Sequence, residues 1–132
     1  MTFEEALAAQ PAWVNIWVTW LGFGAFILPL ALLIWKETRF TAVVTVIASL
    51  IAAIGVMQMF ERMGYVKLLG LPHIILWLPL SVYLWKQLSR PDVRLWPKRI
   101  LWVVLVTIGI SLAFDIVDVA RYALGEREAF TP

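Results

Sequence analysis

The chain has 132 residues, of which 62% are hydrophobic and 15% are charged, and its mean hydropathy is +0.85. A soluble domain is closer to half apolar and a quarter charged, so this composition excludes a cytosolic enzyme, a nucleic-acid-binding protein and a disordered tail. The net charge of +2 does not by itself indicate a polyanionic partner, and the absence of cysteine excludes disulfides, thiolate catalysis and cysteine-based metal sites.

The chain begins with a short segment that ends before Pro11 and has the character of an amphipathic or capping element. Its first residues are acidic rather than basic, and the apolar stretch that follows is too long for a signal-peptide core, so we do not expect a cleavable leader. Four apolar stretches follow, over residues 13–35, 41–60, 71–88 and 100–122. Each is near the roughly 20 residues that a helix needs to cross a bilayer. We therefore predict an all-α integral membrane protein, a single antiparallel four-helix bundle over residues 1–132.

The connections between the stretches predict the orientation. The first and third loops hold seven of the eleven basic residues and two of the nine acidic ones. These residues are Lys36, Arg39, Lys86, Arg90, Arg94, Lys98 and Arg99, with Glu37 and Asp92. Because Lys and Arg concentrate in cytoplasmic loops, we expect loops 1 and 3 in the cytoplasm and both termini outside, in a plasma membrane such as the bacterial inner membrane.

The pattern L-P-L-x-x-x-x-W-K begins at Leu28 and recurs at identical spacing at Leu78. This recurrence indicates an internal repeat, in which the first and second stretches and the third and fourth are two copies of one helical hairpin. Two such copies would have the same orientation and meet along an axis normal to the membrane.

Polar residues gather at the predicted outer level. On the last stretch Thr107, Ser111, Asp115 and Asp118 follow one helical face, and Asp115 lies about 10 Å below Tyr122. Further polar side chains reach the same level from the second, third and fourth stretches: Gln58, Glu61, Arg62, His73 and Arg121. We expect a polar cluster there.

Three interpretations of this cluster stay open. It is structural if Arg121 pairs with Asp118 and Arg62 with Glu61 or Asp115. It is a proton or small-cation site if carboxylates share one charge; the ligands would then be Asp115, Asp118, Glu61, Gln58 and His73, with Arg121 or Arg62 as the counter-charge. It is catalytic towards a lipid if His73 or Asp115 acts as acid or base, although no nucleophile–base spacing supports an enzyme.

The leading hypothesis is a small membrane protein that binds or conducts a proton or small cation and works as an oligomer. The alternative is an accessory or scaffold subunit of a larger membrane complex. A single histidine without an attachment motif gives no reason to expect a cofactor, and the expected partners are the lipid bilayer, further copies of the chain or another membrane subunit.

Overall fold

The structure, a computed structural model, describes residues 2–64 and 67–125, and these two ranges are helical with no strand. The α-helices are α1 (Phe3–Ala8), α2 (Ala12–Gly22), α3 (Arg39–Met63), α4 (Leu71–Leu88) and α5 (Leu95–Ala123). A π-helical turn, Phe23–Ile27, and three 3₁₀ segments, Leu28–Ile34, Lys36–Thr38 and Lys67–Gly70, connect them. Within this part of the chain four helical segments are long and apolar enough to cross a membrane: Ala12–Ile34, Lys36–Met63, Lys67–Leu88 and Leu95–Ala123.

The short first helix has a complete N-terminal cap. The Glu5 amide donates to the Thr2 hydroxyl at 3.1 Å, and the Thr2 amide donates back to the Glu5 carboxylate at 3.4 Å. This reciprocal pair satisfies two amides that the helix itself leaves without partners, which explains why so short a segment is helical. Pro11 follows α1 and begins the next helix as its N-cap residue.

The two copies of the repeated proline motif have different backbones. Pro29 is buried near the start of a 3₁₀ segment, directly after the π-helical turn in which the Leu28 amide donates to the Phe23 carbonyl. Pro79 instead lies inside the regular helix α4 and is exposed. A π turn takes up one extra residue and so changes the direction of every later side chain. The backbone therefore gives no support to the repeat that the sequence predicts.

The last helix begins within the stretch that the sequence predicts as loop 3. It starts at Leu95, which leaves only Ser89–Arg94 between α4 and α5. Pro97 is the third residue of α5, where the missing amide removes no helical hydrogen bond. The Lys98 amide, next in order, donates to the Arg94 carbonyl at 3.1 Å and closes the first turn. Pro97 thus lies in the first turn of α5, the part of a helix that tolerates proline.

The core lies around α4, which packs against both α3 and α5. Its largest fully buried side chains are Trp77 and Leu84 from α4, Leu32 from the 3₁₀ segment, and Leu101 and Ile108 from α5. A smaller cluster, centred on Val56 and Leu69, packs against Phe3, Phe60 and Tyr122 at the other end of the molecule. This smaller cluster holds the connection between α3 and α4 against the end of α5, where the predicted polar residues lie.

Candidate functional site

The polar face of α5 predicted from the spacing is turned inward for most of its length. Thr107 and Ser111 are both buried. Thr107 accepts a hydrogen bond from the indole nitrogen of Trp20 at 3.1 Å. Ser111 lies one turn before Asp115, and its hydroxyl donates to the Asp115 carboxylate at 3.5 Å, which is the outer limit for such a bond. Within α5, all of which the structure describes, the Asp115 carboxylate thus accepts only one weak hydrogen bond.

The neighbour of that carboxylate is the single histidine of the chain. Nδ1 of His73 lies 3.9 Å from Oδ2 of Asp115, and the two side chains are 20% and 17% exposed. This distance is too long for a hydrogen bond but short enough for an ion pair when the imidazole is protonated. The residues come from α4 and α5, which pack together along their length.

Two neighbours determine this geometry. Gly70 lies against Asp115 so closely that a Cβ atom on the glycine would be 2.8 Å from the carboxylate oxygen Oδ1. On the other side, the ring of His73 lies 4.5 Å from that of Trp77, centroid to centroid. Trp77 is itself held by its indole nitrogen, which donates to the Ser49 hydroxyl of α3 at 3.2 Å. The imidazole therefore lies between a fixed aromatic ring and the carboxylate.

The remaining predicted site residues do not all reach this pair. Asp118 is half-buried on the next turn of α5, and Arg121 is exposed one turn further on. Gln58, Glu61 and Arg62 are exposed at the end of α3, and within residues 2–64 and 67–125 none of them has a hydrogen bond or ion pair. In that part of the chain the ion pairs expected of Arg62, with Glu61 or Asp115, are accordingly not formed.

The reason is the direction in which α3 is turned. Its inward residues near this end are Ala52, Val56 and Phe60, so Gln58 and Glu61 project to the opposite side. Among the described residues no three His, Asp or Glu side chains lie together as ligands for a metal ion. The site that the structure brings together consists of Asp115 and His73, with Ser111 and Gly70 in contact with the carboxylate.

A second polar cluster, which the sequence reasoning missed, joins the two basic loops. Arg90 donates to both oxygens of Asp92, at 3.1 and 2.6 Å, to the Gln87 side chain at 2.7 Å and to the Glu37 carbonyl at 3.3 Å. Nε of Arg94 lies 3.4 Å from the Glu37 carboxylate, which is 11% exposed. The hydrogen bonds from Arg90 lower the pKa of Asp92 below its ordinary value. Both acidic residues of the loops therefore contact arginines; the close spacing of Arg90, Pro91 and Asp92 was the available signal.

An apolar groove runs along the outside of α2 and α5. It has a volume of about 610 Å³ and is lined by Trp13, Ile16, Trp17, Trp20, Ile110 and Phe114. The rings of Trp13 and Trp17 each lie 6.2 Å from that of Phe114, and the indole nitrogen of Trp20 donates inward to Thr107. The groove thus offers hydrophobic surface and aromatic edges.

No protein-family model matches the chain, and comparisons with characterised proteins and with solved structures found no significant match.

Proposed function

We propose that the chain is an integral membrane protein that binds or conducts a proton at the His73–Asp115 pair. Insertion is supported by the four long apolar segments and by the outward direction of large apolar side chains, among them Ile16, Ile34 and Phe40, each more than two-thirds exposed. In water such a surface would be an aggregation hazard, whereas lipid chains cover it at no cost. The segments would form an antiparallel bundle, with the basic loops in the cytoplasm and both termini outside.

The observation that carries the proton proposal is the poor hydrogen bonding of Asp115. In the described part of the chain its carboxylate accepts one weak hydrogen bond, and an imidazole lies 3.9 Å away among apolar helices. An uncompensated charge within a membrane-spanning segment costs free energy, because lipid does not solvate it. One added proton compensates the negative charge in either of two ways. It protonates the carboxylate, which gives a neutral acid beside a neutral imidazole, or it protonates the imidazole, which then forms an ion pair with the carboxylate. The pair can therefore take up and release one proton without another partner.

A proton fits this site better than a metal cation. A hard cation needs several oxygen ligands, and Asp115 is joined by a histidine and a serine rather than by the carboxylate of Glu61. The other charged groups on elements packed near Asp115 are Asp118 and Arg121 on α5 and Lys67 on the preceding 3₁₀ segment. These groups would modulate the proton affinity of the pair without completing a coordination shell.

Four packed helices leave no lumen, so conduction across the membrane would require a cleft between copies of the chain or a partner subunit. We infer that the functional unit is an oligomer or a complex. In a monomer the same pair would still bind a proton from one side of the membrane, since both side chains are partly exposed.

The test is proton flux in proteoliposomes that contain the purified protein and a pH-sensitive dye. We expect Asp115→Asn to abolish flux, because an amide cannot carry the proton, and His73→Gln to lower it at least tenfold. Glu61→Gln is the matched control: it also neutralises one predicted site carboxylate, but one that is exposed and away from the pair, and it should leave flux unchanged. The proposal is contradicted if Asp115→Asn leaves the flux unchanged, or if Glu61→Gln lowers the flux as much as Asp115→Asn does.

The second candidate function is an accessory subunit of a larger membrane complex. The aromatic groove between α2 and α5 favours it, since an apolar groove of this kind accepts an apolar helix of another subunit. This function predicts that the wild-type protein gives no flux in liposomes and that Asp115→Asn lowers the yield of folded protein instead.

A further inference from the structure

The two basic loops have an excess of positive charge that the structure leaves uncompensated. Glu37 and Asp92 are the acidic residues of these loops, and each already contacts an arginine, Arg94 and Arg90 respectively. Five further cations are exposed, and within the described ranges none of them has an acidic partner: Lys36, Arg39, Lys86, Lys98 and Arg99. The excess positive charge at this end of the molecule therefore favours the binding of anions.

Three exposed tryptophans lie among these cations. Cζ of Arg99 lies 4.9 Å from the centre of the Trp96 ring, so the guanidinium lies over the indole. The Trp85 ring from α4 meets that of Trp102 from α5 edge to face, at 5.8 Å. The indoles of Trp85, Trp96 and Trp102 are 57%, 62% and 42% exposed, which is unusual for so large an apolar group.

Two exposed cations lie close to these tryptophans in the sequence. Trp96, Arg99 and Trp102 follow each other at three-residue spacing along one side of α5. Lys86 directly follows Trp85 near the end of α4. The surface thus combines the Arg99 guanidinium with three indole rings, the exposed Lys86 is next to one of these rings in the chain, and both helices are packed into the core.

We propose that this surface, formed by Trp85, Lys86, Trp96, Arg99 and Trp102, binds the headgroup of an anionic phospholipid. A guanidinium above an indole ring keeps N–H groups that the ring does not use, and phosphate oxygens accept hydrogen bonds from such groups. Lys86 supplies a second charge. The indoles have the size and polarity of groups that lie at the level of the lipid glycerol and carbonyls.

The aromatic part of the surface indicates a lipid rather than a soluble anion. Free phosphate would use the two cations and leave three indoles exposed, whereas a phospholipid covers the indoles with its glycerol and upper chains. A net negative headgroup fits better than a zwitterionic one, because five nearby cations have no acidic partner in the described structure. This inference rests on the membrane insertion proposed above and does not depend on proton binding.

The experiment is native mass spectrometry of the detergent-purified protein, titrated separately with phosphatidylglycerol, phosphatidylcholine and inorganic phosphate. We expect phosphatidylglycerol to bind more tightly than phosphatidylcholine, and inorganic phosphate to neither bind nor compete. Arg99→Gln should weaken phosphatidylglycerol binding roughly tenfold, the size expected for the loss of one charge-assisted contact. Lys86→Gln gives a second, independent variant with the same expected direction.

Arg62→Gln is the matched control, since it removes an exposed arginine at the end of α3 that contacts no tryptophan among residues 2–64 and 67–125, and it should leave the affinity unchanged. Equal binding of the two lipids, competition by inorganic phosphate, or equal losses in Arg99→Gln and Arg62→Gln would each overturn the proposal. Alkaline extraction of cell membranes reports insertion separately, so a failure of lipid selectivity is distinguishable from a failure of membrane insertion.

Discussion

Asp115 can lie beside His73 because the residue opposite is a glycine. Gly70 has φ −72° and ψ −13°, a conformation that any L-residue adopts, so its backbone does not require glycine. What requires glycine is space, since a Cβ at this position would be 2.8 Å from Oδ1 and 2.9 Å from Cβ of Asp115. Both of these atoms belong to a short side chain that is close to its own helix, so it has little freedom to move aside.

We therefore expect Gly70→Ala to destabilise the protein by about 1–3 kcal/mol, the usual cost of an overpacked contact. Unfolding by a denaturing detergent measures the change. Gly109→Ala in α5 is the control, because a Cβ there meets nothing within 4 Å and the helix gains roughly 0.5–1 kcal/mol from alanine. If Gly70→Ala is as stable as the wild type, Asp115 does not pack against the glycine as described.

The residues of the candidate site were predictable only in part. The inward face of α5, with Ser111 and Asp115, follows from four-residue spacing, because the period of a helix is a local property. That His73 lies near Asp115 follows from its position at the start of the third apolar stretch, which an antiparallel bundle places at the same level as the end of the fourth. The separation of Glu61 from Asp115 was not predictable, since apolar residues surround α3 on every side and its periodicity gives no inward direction.

At the level of helices, three hydrogen bonds between side chains connect two pairs of neighbouring helices in the described part of the chain. The Trp77 indole bonds to Ser49 between α4 and α3, and the Tyr83 and Thr41 hydroxyls are 3.2 Å apart between the same two helices. The Trp20 indole bonds to Thr107 between α2 and α5. Apolar packing has no direction of its own, so these polar contacts restrict how each helix can rotate about its axis.

The Trp77–Ser49 bond can be measured with a double-mutant cycle. Trp77→Phe keeps a ring and removes the donor, and Ser49→Ala removes the acceptor; we expect a coupling free energy of about 0.6–1.5 kcal/mol. Thr45→Val serves as the comparison, since that buried hydroxyl bonds to the Thr41 carbonyl of its own helix, at 2.8 Å. Its coupling to Trp77→Phe should be near zero. Equal coupling of the two residues would show that packing, and not the bond, connects the helices.

For the whole molecule, the proposed orientation follows from where the charges and the apolar surface lie. Seven basic residues lie in or next to the connections before α3 and between α4 and α5. The contacts of Arg90 and Arg94 with Glu37 join these two connections, so they lie at the same end of the molecule. The sides carry exposed apolar residues such as Ile47 and Val106. A bilayer would cover those sides and leave the basic end in contact with the cytoplasm.

The absence of native cysteine makes this orientation simple to test with single-cysteine variants and a membrane-impermeant thiol reagent. We expect Ala9→Cys and Leu124→Cys, both exposed, to be labelled from outside intact cells. Ser89→Cys, between α4 and α5, should react only after the membrane is permeabilised. If only Ser89→Cys is labelled in intact cells, the topology is the reverse of the proposed one. If all three variants are labelled, the chain does not cross the membrane four times.

The helical class and the four long apolar segments follow from the amino-acid sequence alone, because hydropathy and segment length are summed along the chain and do not depend on which segments are neighbours. Which polar groups meet depends on the tertiary packing. The spacing of apolar residues predicts neither the π-helical turn nor the start of α5 at Leu95. The rotation of α3 depends on its packing against α4 and the 3₁₀ segment Leu28–Ile34, which lie elsewhere in the chain. A rotation of half a turn separates an inward Glu61 from an outward one, and no local pattern distinguishes the two when the whole helix is apolar.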